Sequence, residues 1–257
     1  MVAFTRRQRR KRALSEPFPP AWRTILDRRC AVWRTLDAAE RERLEQRTKL
    51  FVAETRFEPA RGFTMTDEVR VLIAAQANLL ALGFDDDEEP FGRVRTIIVH
   101  PSTMTFHGTR STDTPGVVAT GPTQLDGEAH HRGPVLLSWR AVRMEALHPQ
   151  RGRNVVFHEF AHQLDMLDGV VDGTPPLADD ETRQRWIEVC TREFDSLRED
   201  GDHLLRDYAG ADPGEFFAVA TEVFFTRPVE LRENHGELYE LLSDFYRQDP
   251  SVRVAHA

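Results

Sequence analysis

The sequence predicts a helix-rich α+β protein with a small mixed sheet laid beside one apolar helix. Three observations carry that prediction. Apolar residues recur at helical spacing over most of the first and last thirds of the chain. Only two runs, residues 94–99 and 134–139, read as good strands. Both precede a helix, at about residues 152–167, that is apolar apart from a few ionisable side chains.

The elements follow in order. Residues 1–20 combine a charge run (Arg6, Arg7, Arg9, Arg10, Lys11, Arg12) with a proline cluster, and read as a disordered tail. From Trp22 to Phe57 the pattern is helical, with Ile25, Val32, Trp33, Leu36, Leu44, Leu50 and Phe51 at roughly helical spacing. Asp37 and Glu40 form a capping box, so a helix restarts there. Another begins near Thr66, carries Val69, Leu72, Ile73, Gln76, Leu79 and Leu80, and stops at Gly83. Residues 85–92 form a solvated acidic loop. The first strand ends at Pro101. Residues 105–133 show little periodicity, with a short strand at 116–120. The second strand, Pro134 to Trp139, is read as an edge able to pair with an extended peptide. After the apolar helix comes a loop over 168–179, and helices resume near 180–198, 213–225 and 235–247.

Composition narrows the class. At 257 residues with 40% hydrophobic side chains, the chain can build a sizeable core. A net charge of −8 argues against direct nucleic-acid binding. No apolar run approaches the roughly 18–20 residues of a membrane span. The basic N-terminus lacks the apolar stretch of a signal peptide. Cys30 and Cys190 follow no ligand spacing and read as packed or free thiols, which suits a reducing cytoplasm.

The chemistry concentrates in His158-Glu159-Phe160-Ala161-His162, an H-E-x-x-H pentapeptide inside the apolar helix. Histidines four residues apart share a helix face, so their imidazoles can converge on one metal, usually zinc. Glu159 lies about 100° further round the helix, where it can reach a water beside the metal as a general base. Ionisable groups on a buried helix carry a desolvation cost unless a metal or charge partner compensates them. His100, His107, His130 and His131 have no companion spacing and read as surface histidines.

A catalytic zinc takes three protein ligands. A third histidine in the usual extension is absent, because residues 165 and 168 are Asp165 and Asp168. Asp165 is better placed to hydrogen-bond the outer nitrogen of His162 than to ligate. Glu215 and Glu222, seven apart on one face of an apolar helix, are the candidates. Each has a competing role. Glu215 falls where a capping-box glutamate belongs after Asp212 and Pro213, and Glu222 could pair with a buried arginine or hold a histidine. Spacing leaves the two even.

Beyond the pentapeptide, Gln163-Leu164-Asp165, Gly169 and Asp172-Gly173-x-Pro175 follow; Val135-Leu136-Leu137-Ser138-Trp139 precede; and Glu215-Phe216-Phe217-Ala218-Val219 come later. Together they resemble the Mlc titration factor A family of zinc peptidases over roughly residues 66–245, and that family in turn resembles the catalytic domain of anthrax lethal factor. In both, a tyrosine precedes a glutamate ligand by seven residues, the spacing of Tyr208 and Glu215 here. The resemblance therefore implies a zincin-like core, one Zn²⁺ held by His158, His162 and Glu215, and catalytic roles for Glu159 and for Tyr208 as an oxyanion donor. With the tail over 1–20 read from its composition as disordered, it implies a single zinc-peptidase domain over 21–257, with a helical part at about 21–90 and a metal-site core at about 91–250. Two features depart from the family pattern, the acidic run Asp85-Asp86-Asp87-Glu88-Glu89 and the arginine-rich tail.

The function so implied is a cytoplasmic zinc metallopeptidase, aminopeptidase-like on short peptides, whose partners are a peptide or protein substrate and a sugar-responsive transcriptional repressor. The alternative is a regulatory binding protein whose zinc site is structural or vestigial. A zinc hydrolase of non-peptide substrates is a third reading, since the same chemistry opens esters and amides.

Overall fold

The computed structural model describes residues 5–60, 62–106, 109–111, 118–120, 123–125, 127–128 and 133–255. His107, His130 and His131 lie outside the described residues. Helices α1 (Arg6–Ser15), α2 (Pro20–Arg29) and α3 (Ala38–Glu54) lead into strand β1 (Arg56–Pro59) and helix α4 (Asp67–Leu80). Strands β2 (Thr96–His100), β3 (Met104–Phe106), β4 (Thr109–Ser111), β5 (Val118–Thr120), β6 (Thr123–Leu125), β7 (Gly127–Glu128) and β8 (Val135–Ser138) follow. Helices α5 (Trp139–Leu147), α6 (Val155–Asp165), α7 (Asp180–Asp200), α8 (Pro213–Thr226), α9 (Pro228–Asn234), α10 (Gly236–Tyr246) and α11 (Pro250–Ala255) complete the order. The helix-rich α+β class expected from the sequence is what the chain adopts.

The main sheet has the order β1-β2-β8-β7. Strands β1, β2 and β8 are parallel, with Phe57 beside Ile97 and Ile97 beside Val135. Strand β7 runs antiparallel, Gly127 facing Leu137. Alternation sets the face: Ile97, Val99, Val135 and Leu137 are buried. The pairs β3–β6 and β4–β5 form two small antiparallel ribbons.

Several expectations are corrected. β8 is not an edge strand; β2 and β7 cover both sides of it, and β7 holds the outer position. Trp139 starts α5 instead of ending the strand, because Ser138 caps that helix by accepting the Ala141 N–H. The helical pattern expected up to Phe57 ends sooner. Thr55 leaves the helical conformation at the C-cap of α3, and the four residues after it pair with β2.

The predicted disordered tail is, over residues 6–15, a helix. Thr5 and Gln8 form a reciprocal capping box at its start. Arginine is a good helix former, and the helix is held from outside: Lys49 donates to the Glu16 carbonyl at 2.5 Å, and Arg10 pairs with Glu54 at 3.6 Å and with Glu89. A charge run looks unstructured when its partners lie elsewhere in the chain.

The acidic loop is solvated as expected, with Asp85, Asp86, Asp87 and Glu89 exposed, and it is also latched to the helices around it. Arg47 donates to the carbonyls of Phe84 (2.6 Å) and Asp85 (2.8 Å), Arg43 meets Asp86, and Arg247 meets Asp85 and Glu88. A Cβ on Gly83 would stand 2.1 Å from the Tyr246 carbonyl oxygen, so only glycine lets this turn lie against the end of α10.

The core centres on α4, whose residues 71–80 are all buried. A helix that is buried all round must satisfy its own polar groups. Gln76 and Asn78 do so by donating to the Leu72 and Ala74 carbonyls at 3.0 and 2.8 Å. α6 and α8 pack against each other beside α4, and Trp186, Phe217, Phe224, Phe225, Phe245 and Tyr246 form a continuous aromatic cluster beyond them.

Candidate metal centre

The site is built by two helix starts. Asn154 caps α6, its side-chain oxygen accepting the Val156 and Phe157 N–H groups at 3.0 and 3.1 Å. Its amide nitrogen donates to Gln76 Oε1 on α4 at 2.7 Å, which fixes the helix to the core. Asp212 caps α8 by accepting the Glu215 N–H at 3.0 Å, with Pro213 at the first helical position. The Glu215 side chain is not returned to Asp212. It points across to α6.

There His158, His162 and Glu215 meet, with one ligand atom from each lying within 4.8 Å of the others. His158 Nε2 is 3.3 Å from His162 Nε2 and 3.1 Å from Glu215 Oε2, and His162 Nε2 is 3.7 Å from the same oxygen. The imidazole planes are nearly perpendicular, at 84°. Tyr208 donates its hydroxyl proton to Glu215 Oε1 at 2.7 Å. It sits on a short 3₁₀ turn, Asp207–Gly210, and is half exposed. Glu159 is buried on the same helix as the histidines.

Glu222 does something different. It is buried, and its Oε1 lies 2.8 Å from His158 Nδ1. It also takes Arg206 Nη2 at 2.6 Å on Oε1 and the Asn154 N–H at 2.6 Å on Oε2. Glu222 thus stands behind His158, and Glu215 stands in front of it. That separation is a matter of tertiary packing, which is why residue spacing could not give it.

Asp165 does not meet the expectation set for it. Its Oδ2 accepts the Gly173 N–H at 3.0 Å, and His162 Nδ1 has no hydrogen-bond partner among the described residues. The loop after α6 doubles back at Gly173, whose φ of +75° suits glycine, and brings that N–H to the short carboxylate. Burial lifts the Asp165 pKa to about 6 against the pull of this hydrogen bond.

The charges are strongly coupled. Burial disfavours the charged form of His158, but the carboxylates of Glu215 and Glu222 on either side of the ring carry its pKa well above the usual imidazole range. Burial likewise opposes ionisation of Glu215 and Glu222, and the imidazoles (with Arg206 at Glu222) overcome it, holding both below the ordinary carboxylate range. Burial and the Glu215 charge push Tyr208 above the usual phenol range, so it keeps its proton and stays a donor.

The donor set fits a divalent cation. Two imidazole nitrogens and a carboxylate oxygen converge, Glu215 Oε2 is buried with no hydrogen-bond partner among the described residues, and the outer nitrogen of His158 is engaged by a carboxylate, as in histidines that present their other nitrogen to a metal.

The profile of a family described as glucose-regulated metallo-peptidase M90 matches residues 4–247. The chain belongs to the M90 family. Relatives agree over nearly the whole length. An uncharacterized protein of Synechocystis sp. is 37% identical over 95% of this chain and 90% of its own. Mlc titration factor A of Edwardsiella ictaluri is 30% identical over 85% of this chain and 81% of its own, and that of Pectobacterium atrosepticum is 30% identical over 85% and 83%. The resemblance to the Mlc titration factor A family read from the motifs is therefore borne out, and membership of a metallopeptidase family implies a metal.

Three residues around the candidate centre carry roles the sequence did not single out. Gly127 on β7 lies against α6 so closely that a Cβ there would be 2.3 Å from Glu159 Oε1; it sits in a stretch without periodicity. Arg206 has no motif around it. Asn154 did carry a signal, being an Asn directly before an apolar helical run.

Proposed function

We propose that this M90 protein is a zinc-dependent peptidase, aminopeptidase-like on short peptides, with His158, His162 and Glu215 as the metal ligands. The observation that supports it most is the meeting of those three donors from two helices beside a buried Glu159. A zinc ion held there would supply Lewis acidity, polarising the scissile carbonyl and acidifying water.

The chain's own groups do the rest. Glu159 takes a proton from the attacking water and passes it to the departing amine. Tyr208, protonated at neutral pH, turns its hydroxyl from Glu215 to the oxyanion that develops on the substrate; losing such a donor costs about 3 kcal/mol of barrier. β7, the outer strand of the sheet beside Glu159, offers its backbone to an extended peptide, the role first expected of β8. Among the described residues no helix is long and apolar enough to cross a membrane, and Cys30 and Cys190 are unbonded, in keeping with a cytoplasmic setting.

The test is Glu159→Gln. It should leave about one zinc per chain and lower peptide hydrolysis by about a hundredfold or more. Undiminished turnover in that variant sinks the mechanism, and a wild-type protein that binds no zinc sinks the reading altogether.

A second reading is favoured by the relatives' name. A protein called Mlc titration factor suggests that this chain captures a transcriptional repressor, independently of hydrolysis. Repressor binding by Glu159→Gln at wild-type affinity would separate the two activities.

A further inference from the structure

Arg206 lies just ahead of the turn that carries Tyr208 and reaches two parts of the site at once. Its Nη2 donates to Glu222 Oε1 at 2.6 Å, the same oxygen that meets His158 Nδ1 at 2.8 Å. Its guanidinium also lies over the Tyr208 ring, 5.7 Å from the centroid. We propose that Arg206 is a positioning residue that acts through Glu222 to hold the His158 ring in its metal-facing orientation, and through its stack to hold Tyr208 beside Glu215. The inference rests on the metallopeptidase reading and adds to it a residue that touches neither metal nor substrate.

The physical case concerns Glu222. Its carboxylate is almost wholly buried, and a buried anion is costly unless paired and hydrogen-bonded. The Asn154 N–H fixes Oε2 from the start of α6. Oε1 alone faces His158, and Arg206 is the side chain that pins Oε1 from the other side. Without it the carboxylate loses its charge partner and is free to swing from the ring. Outer partners of this kind orient metal-binding histidines, and their loss typically costs about ten- to a hundredfold in metal affinity. The Tyr208 contact is a separate arm. An arginine over an aromatic face is attracted to it, and the contact adds to the Glu215 hydrogen bond in holding a half-exposed Tyr208.

The two arms respond differently to lysine. The hydrogen bond to Glu222 comes from Nη2, while Nη1 has no hydrogen-bond partner among the described residues, so a point cation can serve that contact. A lysine cannot reproduce the planar stack.

The experiment uses the full chain stripped of metal, titrated with zinc against a chromophoric chelator, with no substrate present. Arg206→Ala should weaken zinc binding by about tenfold or more. Arg206→Lys should return it to within a few-fold of wild type while kcat stays low at an unchanged KM. Glu222→Gln should weaken zinc similarly, and the Arg206→Ala/Glu222→Gln pair should be little weaker than either single change, because both break one connection. If Arg206→Ala does not fold, Arg206→Gln takes its place with the same expectation. Wild-type zinc affinity in the Arg206 variant, full additivity with Glu222→Gln, or no rescue by lysine overturns the proposal. A wild-type chain that takes up no zinc instead overturns the reading on which it rests.

Discussion

The centre between α6 and α8 and the layer formed by α1, α3 and the 85–92 loop are both rich in ionisable side chains, but they arrange them in opposite ways. In the layer, signs alternate: Arg43, Arg47 and Arg247 interleave with Asp85, Asp86 and Glu88, and the carboxylates reach solvent, Asp86 with 88% of its side chain exposed. In the centre, His158, His162 and Glu215 turn their electron-pair donors toward one point and are largely shielded from water. Alternation neutralises charge locally and makes a latch, each pair worth about 0–1 kcal/mol at the surface. Convergence leaves a shared demand that only a cation meets.

The largest expected difference between the regions is therefore metal dependence. Glu215→Ala should take the zinc content of the purified protein from about one per chain to near zero, whereas Glu88→Ala should leave it untouched. Full metal occupancy in Glu215→Ala would remove Glu215 from the ligand set.

The next contrast sets stability against chemistry with one type of substitution. At Gly83 an added methyl meets backbone carbonyls, Tyr246 at 2.1 Å and Arg247 at 2.6 Å. Backbone cannot step aside cheaply, so Gly83→Ala should cost about 3 kcal/mol of unfolding free energy, with zinc affinity unchanged for the molecules that fold. Denaturant unfolding reads this directly. A loss under about 1 kcal/mol would mean the turn has slack that the packing does not show.

The same division explains what could be read in the sequence. α6 was legible because its histidines, apolar face and following glycines are local in the chain and follow the helical period. Glu215 and Tyr208 came from the resemblance, since the spacing of Glu215 and Glu222 places both on one face and says nothing of what lies opposite. Arg206, Gly127 and Asp165 gain their partners from segments the chain brings back, so nothing near them in sequence announces their positions. α1 is the plainest case: Arg10 and Glu16 find Glu54, Glu89 and Lys49 in distant elements, and without those partners a run of arginines carries the signature of a solvated tail.

Gly127 supplies the counterpart to Gly83. Its added methyl would meet Glu159 Oε1 at 2.3 Å and Cγ at 2.7 Å, and Val155 Cγ2 at 2.7 Å. Oε1 ends a side chain that can turn aside, but Cγ and the Val155 methyl are buried, so Gly127→Ala should cost about 1–2 kcal/mol of stability, less than Gly83→Ala. The displaced carboxylate is the proposed proton carrier, and a shift of about 1 Å there is worth up to a hundredfold in rate. A fall in kcat of about tenfold or more, with zinc retained, is expected. Unchanged kcat would show that β7 does not constrain Glu159.

The smallest effect, and the one that tests the latch as such, concerns Glu88. Its carboxylate accepts the Asp85 N–H and pairs with Arg247. Partial burial works against its ionisation, but those contacts prevail and hold its pKa below the ordinary glutamate value. A depressed folded-state pKa means that the unfolded chain binds the proton more readily. The stabilisation is therefore present above the unfolded value, about 4.3, and is lost as pH falls through the folded value. Because the group is more than a third exposed, solvent screening limits the gain to under about 1 kcal/mol. Glu88→Gln should lower the urea midpoint slightly and equally at pH 7 and pH 6, and the gap to wild type should close below about pH 4 and shrink in 1 M salt. A gap that persists at low pH would assign the role of Glu88 to packing and its hydrogen bond to Asp85, and the latch would then owe little to charge.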